Sequence, residues 1–165
     1  MPKRRLGLDV LAAAKQRIEE TFNDFEKVYL SFSAGKDSTV MMHLACEEAR
    51  KRKRKIGILL VDLEGQYKLT IDHALKMVEE YEDVIDLHWI CLPISLRNAV
   101  SVYEPKWICW DKNKKEDWIR AVPECSISEE SFFDFFCHGL EIEEVVPLVC
   151  EWSFEGLCCG LLVGI

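Results

Sequence analysis

What this chain lacks narrows it before its positive features are considered. No apolar run reaches the roughly 18 residues of a membrane-crossing helix, and the charged start Met1-Pro2-Lys3-Arg4-Arg5 is not followed by a signal-type apolar core. A cytoplasmic location is the expectation. None of the 8 cysteines stands in a C-x-x-C pair, so the spacing of common zinc sites is missing and reduced thiols are expected. A zinc or iron–sulfur site assembled from distant cysteines and His138 is the alternative to reduced thiols. Neither G-x-x-x-x-G-K-[ST] nor G-x-G-x-x-G occurs, which excludes the Walker and dinucleotide loops. A global basic field is also absent, because 21 Lys and Arg face 29 Asp and Glu for a net charge of −8. A nucleic-acid partner would therefore have to meet a local patch. The one candidate is the run 50–55, Arg-Lys-Arg-Lys-Arg-Lys, at the expected end of a helix. There the dipole favours cations, and a solvated face is the plainer reading.

What is present fits one soluble α/β domain over 1–165. The chain is 49% hydrophobic and 30% charged, and long enough to bury a core. Leu8 to Phe25 carries Val10, Leu11, Ala14, Ile18, Phe22 and Phe25 at helical spacing. Val28 to Phe32 reads as a first strand. Asp37 to Arg50 reads as a helix with Val40, Met41, Leu44 and Ala45 inward, and the continuous apolar run Ile56 to Val61 as a parallel strand covered on both faces. Thr70 is the expected cap of a helix to Tyr81, with Ile71, Leu75 and Val78 inward. Asp86 to Leu92 is the third strand, in which His88 reads as structural. The core thus spans 28–92.

Beyond Pro93 the periodicity fails. Leu96 to Val100 reads as a short helix within an aromatic insertion at 93–127, where Tyr103 to Asp111 forms either a lid, a substrate platform or the seal of a satellite core. Helices are expected over Ser128 to Leu140 and Glu141 to Phe154, and a buried strand over Cys158 to Ile165. A chain ending on such a strand reads either as a genuine terminus with a simplified crevice or as part of a longer protein, and the truncated reading is the expectation.

The densest chemistry lies in Ser33-Ala34-Gly35-Lys36-Asp37-Ser38, between the first strand and its helix. The first N–H groups of a helix lack intrahelical partners and carry partial positive charge, so this turn favours an anion. Gly35 permits close backbone approach. Ser33 and Ser38 offer hydroxyls, Lys36 a mobile charge, and Asp37 a carboxylate for Mg²⁺ or for the helix start. Ser31 ends the strand that feeds the turn. In open α/β sheets ligands bind beyond the carboxyl ends of the strands, so Asp62 and Glu64, after the second strand, are candidates for ribose, adenine or Mg²⁺. Arg97 and Lys106 offer charge to an anionic group.

Ser33 to Ser38 resembles the S-G-G-x-D-S loop of the PP-loop ATP pyrophosphatase superfamily, with Ala34 in place of its first glycine. With Asp62 to Thr70 and the stretch from Arg97-Asn98-Ala99 to Cys109-Trp110-Asp111, the likeness points to the phosphoadenosine phosphosulfate (PAPS) reductase-like branch. More narrowly, the chain is similar to phage- and prophage-borne members described as co-activators of prophage gene expression. The resemblance implies an open, mainly parallel sheet with helices on both faces, the adenine nucleotide α-hydrolase-like fold. It implies ATP or PAPS held by Ser31, Ser33, Ala34, Gly35, Lys36, Asp37 and Ser38 together with Asp62 and Glu64. Lys36 and Asp37 would act in catalysis, Asp37 would hold Mg²⁺, and Arg97 and Trp110 would face substrate. Relatives continue past the position of Ile165 with an arginine-containing segment, and the reductase Glu-Cys-Gly tail is absent here. Cys158 and Cys159, inside an apparent strand, are poor substitutes for its nucleophile. Three functions follow as expectations: an adenylating ATP pyrophosphatase, a sulfonucleotide reductase, or a non-catalytic nucleotide-sensing regulator with a protein partner.

Overall fold

Four parallel strands carry the architecture, and their sequence explains why they pair. The computed structural model describes residues 7–100, 102–153 and 160–163. Strands β1 (Val28–Ser31), β2 (Ile56–Val61), β3 (Ile85–Ile90) and β6 (Gly160–Val163) form one sheet in the order β3-β2-β1-β6. In β2 every residue from Ile56 to Leu60 is buried, as expected of a parallel strand sandwiched between two layers. The register aligns Tyr29 with Gly57 and Ser31 with Leu59, and Gly57 with Asp86. A side chain on Gly57 would start 2.3 Å from the Tyr29 ring. The glycine therefore makes room for that aromatic ring.

The connections β1-α2-β2 and β2-α3-β3 are crossovers of one hand, which places α2 (Lys36–Arg52) and α3 (Lys68–Glu80) on the same face. Helix α1 (Val10–Asp24) joins them: it packs on α2 and β6. A Cβ on Gly160 would lie 2.7 Å from the Thr21 methyl group. Helix α4 (Ile142–Ser153) covers the opposite face, where Trp152 meets the rings of His88 and Phe133 edge-on, at 6.0 Å and 4.9 Å. The expected layering, helices on both faces of a parallel sheet, is what the chain forms.

Several local expectations are corrected. The inward face of α2 is Ser38, Met42, Ala45, Cys46 and Ala49, while Val40 is exposed. Val10 and Leu11 of α1 face solvent, and Ile18 and Phe22 are its buried pair. Helix α3 starts two residues before Thr70, with Tyr67 as its cap, and buries Ile71, Ala74 and Met77 rather than Leu75. The stretch expected as a helix at Leu96 to Val100 instead begins with a strand. β4 (Ser95–Arg97) pairs antiparallel with β5 (Lys106–Ile108) in a two-stranded hairpin. Ser128 to Leu140 is not an α-helix. It holds one turn of 3₁₀-helix at Glu130–Phe132 and a ladder of rings, Phe132, Phe133 and Phe135. Ser, Phe, Asp and Gly are weak helix formers, and burying Phe133 against Trp152 decides the conformation. Cys158, Cys159, Gly164 and Ile165 lie outside the described residues.

The basic run also has an internal role. Arg50 grips Asp83 through two nitrogens, at 2.5 and 3.0 Å, and stacks over Tyr81. Arg52 reaches Glu48 at 2.6 Å and Asn23 at 2.7 Å. Arg54 donates to the carbonyls of Phe22, Phe25 and Glu26, and Lys53 is the left-handed cap of α2. These cations tie the end of α2 to α1 and α3, at the edge of the sheet opposite the Ser33–Ser38 turn.

Candidate functional site

At the carboxyl edge of the sheet, β1 hands over to α2 through a turn that stays open. Ser31 is the last strand residue, half-buried, and Phe32 N–H still pairs with the Leu59 carbonyl at 2.8 Å. Ser33, Gly35, Lys36 and Asp37 are exposed, whereas Ser38 is buried. The left-handed residue of the turn is Ala34, at φ 57°. Gly35 is the helix cap at φ −78°, and the nearest neighbour of an added Cβ would be Ser33 Oγ at 3.4 Å. Conformational strain thus falls on Ala34, where a Cβ costs about 1–2 kcal/mol. Gly35 contributes open space above the helix N-terminus.

Hydroxyls organise the turn from below. Ser33 Oγ and Ser38 Oγ lie 3.1 Å apart, and Ser38 donates to the Gly35 carbonyl at 3.0 Å. Lys36 Nζ and Asp37 Oδ1 pair at 2.8 Å with side chains 88% and 61% exposed. Exposed pairs of this kind hold each other weakly, so both groups are available to a ligand.

Asp62 and Glu64 end β2 beside this turn, but their carboxylates face inward. Asp62 is fully buried. Its Oδ1 accepts from the Glu64 N–H at 2.9 Å and from Arg120 Nη2 at 2.5 Å, and its Oδ2 accepts from the Trp89 indole at 2.9 Å. Glu64, itself at φ 64°, accepts the Trp110 N–H at 2.7 Å and that of Ile119 at 3.4 Å. Trp110, at φ 52° and 1% exposed, donates its indole N–H to the Asp62 carbonyl at 2.7 Å. The two acids expected to meet a ligand thus meet the insertion. They pin its 110–120 stretch to the strand end, and the indole of Trp110 is packed away rather than presented. Of the alternatives for the aromatic segment, the satellite core describes Cys109 and Trp110, both buried.

Arg120 is the residue that sequence reasoning missed. Its guanidinium lies 4.9 Å from the Trp110 ring centroid, and its Nε and Nη1 are buried without a hydrogen-bond acceptor. The π face beneath them takes that place. The available signal was an aspartate that needs a cation, just after a buried strand, with two arginines, Arg97 and Arg120, in the aromatic insertion to supply it. Arg97 stands on the hairpin opposite Lys106, where both act on Glu141: Lys106 pairs with it, and together they hold its carboxyl below the usual range.

Other nucleophiles and ligands are few. Burial pushes the Cys46 thiol up to about 12 and that of Cys109 to about 11, and raises Cys91 further. Among the described residues, no group of three His, Cys, Asp or Glu side chains is placed to hold a metal, and no helix is long and apolar enough to cross a membrane. A cavity of about 790 Å³ opens at the opposite edge of the sheet, lined by Tyr29, Gly57, Asp86, His88, Arg54 and Lys55. Two of its cations are already engaged, Arg54 on carbonyls and Lys55 on Asp86 at 3.2 Å. Size favours that hollow and chemistry favours the turn, where an open helix N-terminus stands beside the exposed Lys36–Asp37 pair.

A parallel sheet whose first strand turns through a hydroxyl-lined loop into a helix N-terminus is an adenine nucleotide α-hydrolase-like arrangement. The chain belongs to the phosphoadenosine phosphosulfate reductase domain family, whose profile matches residues 27–139. It is similar to the "Uncharacterized protein YbdN" of Escherichia coli (strain K12), 37% identical over 161 residues that cover 97% of this chain. The chain spans 39% of that relative's length.

Proposed function

We propose that the domain binds an adenine nucleotide through Ser33, Ala34, Gly35, Lys36, Asp37 and Ser38, and that it is of the ATP pyrophosphatase, adenylating type. The observation that carries this reading is the open N-terminus of α2, flanked by exposed Lys36 and Asp37 at the carboxyl edge of the sheet. Backbone N–H groups and Lys36 would hold the phosphates and stabilise charge that develops on them. A substrate oxygen would attack the α-phosphorus, forming an adenylated product as the α–β bridge breaks and pyrophosphate leaves. Asp37 offers a single carboxylate, which suits Mg²⁺ arriving with the nucleotide and not a dedicated cage of protein ligands. When bound there, the ion would neutralise phosphate charge.

Sulfonucleotide reduction needs an accessible thiolate; burial takes Cys46, Cys91 and Cys109 out of that role, and among the described residues the exposed thiols are Cys125 and Cys137. The test is incubation of the full chain with Mg²⁺ and ATP, or with PAPS and a thiol donor, following pyrophosphate and sulfite. Pyrophosphate release that is lost in Lys36→Ala supports adenylation. Thiol-dependent sulfite release overturns it in favour of reduction. Nucleotide binding with neither product would favour the sensing role that the likeness to prophage co-activators suggests.

A further inference from the structure

Helix α3 reaches the phosphate turn through one side chain. His73, half-buried in the second turn of α3, places Nε2 2.9 Å from Thr39 Oγ1. The Thr39 hydroxyl donates to the Gly35 carbonyl at 2.9 Å, and the Thr39 backbone N–H donates to the same oxygen at 2.9 Å. A hydroxyl has one hydrogen. With that hydrogen on Gly35, the Thr39 oxygen accepts, and His73 Nε2 must be the donor.

The relay His73 → Thr39 → Gly35 carbonyl has a consequence fixed by peptide geometry. The Gly35 carbonyl and the Lys36 N–H belong to one planar trans unit and point in opposite directions. Drawing the carbonyl back toward the helix therefore aims the Lys36 N–H outward, where an anion would sit. The Ser38 hydroxyl holds the same carbonyl at 3.0 Å, so the His73–Thr39 branch adds a second side-chain hold on a unit whose glycine is itself exposed.

We propose that His73 is a positioning residue for the phosphate turn: through Thr39 it fixes the Gly35–Lys36 peptide and so sets affinity for the phosphate groups. The inference rests on the nucleotide-binding reading and deepens it. It also couples the turn to the far end of β2, because α3 is the helix that follows the Asp62–Glu64 turn.

The experiment is calorimetric titration of the chain with pyrophosphate and with ATP, using His73→Ala, His73→Gln, Thr39→Val and the double variant His73→Ala/Thr39→Val. One net hydrogen bond corresponds to about a three- to tenfold weakening. That loss is expected in His73→Ala, with recovery in His73→Gln, whose amide can donate to Thr39. The double variant is expected to be no worse than Thr39→Val, because both substitutions break one chain. Wild-type affinity in His73→Ala, or losses that simply multiply in the double variant, overturn the proposal. Amide relaxation in the ligand-free protein separates this failure from failure of the functional reading. The Lys36 N–H should change from a rigid order parameter, about 0.85, toward flexible values in His73→Ala, at unchanged melting temperature. If wild type binds neither ligand, the functional reading falls, and an unchanged Lys36 order parameter would then overturn the relay as well.

Discussion

Asp62 and Arg120 meet at 2.5 Å at the carboxyl end of β2, 58 residues apart in sequence, and this pair fastens the aromatic insertion to the sheet. The carboxylate is fully buried and also holds the Trp89 indole and the Glu64 N–H. Removing one member of a buried pair costs about 3–5 kcal/mol, because the other is left uncompensated. Asp62→Ala should fall in that range by urea unfolding, and Arg120→Met somewhat below it, since the arginine retains some exposure. A double-mutant cycle with near-zero coupling would show that the two do not act as a pair.

The contrast between Ala34 and Asp62 shows what the sequence could carry. The loop Ser33–Ser38, its strand and its helix are local, set by an apolar run, a turn and a cap, and they form where the residues indicate. The positions of Asp62 and Glu64 at a strand end are also local. The direction of their carboxylates is not: it depends on Trp110, Ile119 and Arg120, which lie 46 to 58 residues downstream in a stretch without periodicity. The β4–β5 hairpin was illegible for the same reason, since three-residue strands carry too little alternation to distinguish them from a helical turn. His73 stands in an amphipathic helix like any polar-face residue, and only the fold brings it to Thr39.

Strain at Ala34 leads to a sign that can be checked. Glycine there would relieve about 1–2 kcal/mol of left-handed penalty, offset by about 0.4–1 kcal/mol of added freedom in the unfolded chain. Ala34→Gly should therefore leave stability equal or raise it by up to about 1.6 kcal/mol. Ala34→Val, β-branched at φ 57°, should lower it. A stabilising valine would mean that the turn is not left-handed in solution.

His88 gives the protein an acid-sensitive element. Burial lowers its pKa despite the nearby Asp86, and its Nδ1 pairs with the Tyr29 hydroxyl at 3.1 Å. The unfolded imidazole, near pH 6.5, binds a proton that the folded one refuses. Stability should therefore fall as pH drops through about 6.5 and level off below the folded value. His88→Gln, which still accepts from Tyr29, should flatten that part of the curve in urea midpoints measured against pH. Parallel curves for the two proteins would assign the acid sensitivity elsewhere.

Thiol reactivity maps the core independently. The thiolate is the reactive form, and burial keeps Cys46, Cys91 and Cys109 protonated. Brief alkylation at about pH 8 followed by peptide mapping should mark exposed Cys137 well before those three, which should react only on unfolding. Native-state labelling of Cys109 at the rate of Cys137 would contradict the packing of the Trp110 segment.

The most direct measurement is titration calorimetry of the wild-type chain and of Lys36→Ala with ATP and with PAPS, each with and without Mg²⁺. Lys36 is exposed and, among the described residues, pairs with its exposed neighbour Asp37, so its removal should leave the melting temperature in place. The account predicts Mg²⁺-assisted ATP binding that weakens about tenfold or more, about 1.4 kcal/mol, in Lys36→Ala. Equal affinity in the two proteins, or binding of neither nucleotide by wild type, would contradict the assignment of the Ser33–Ser38 turn as a phosphate site.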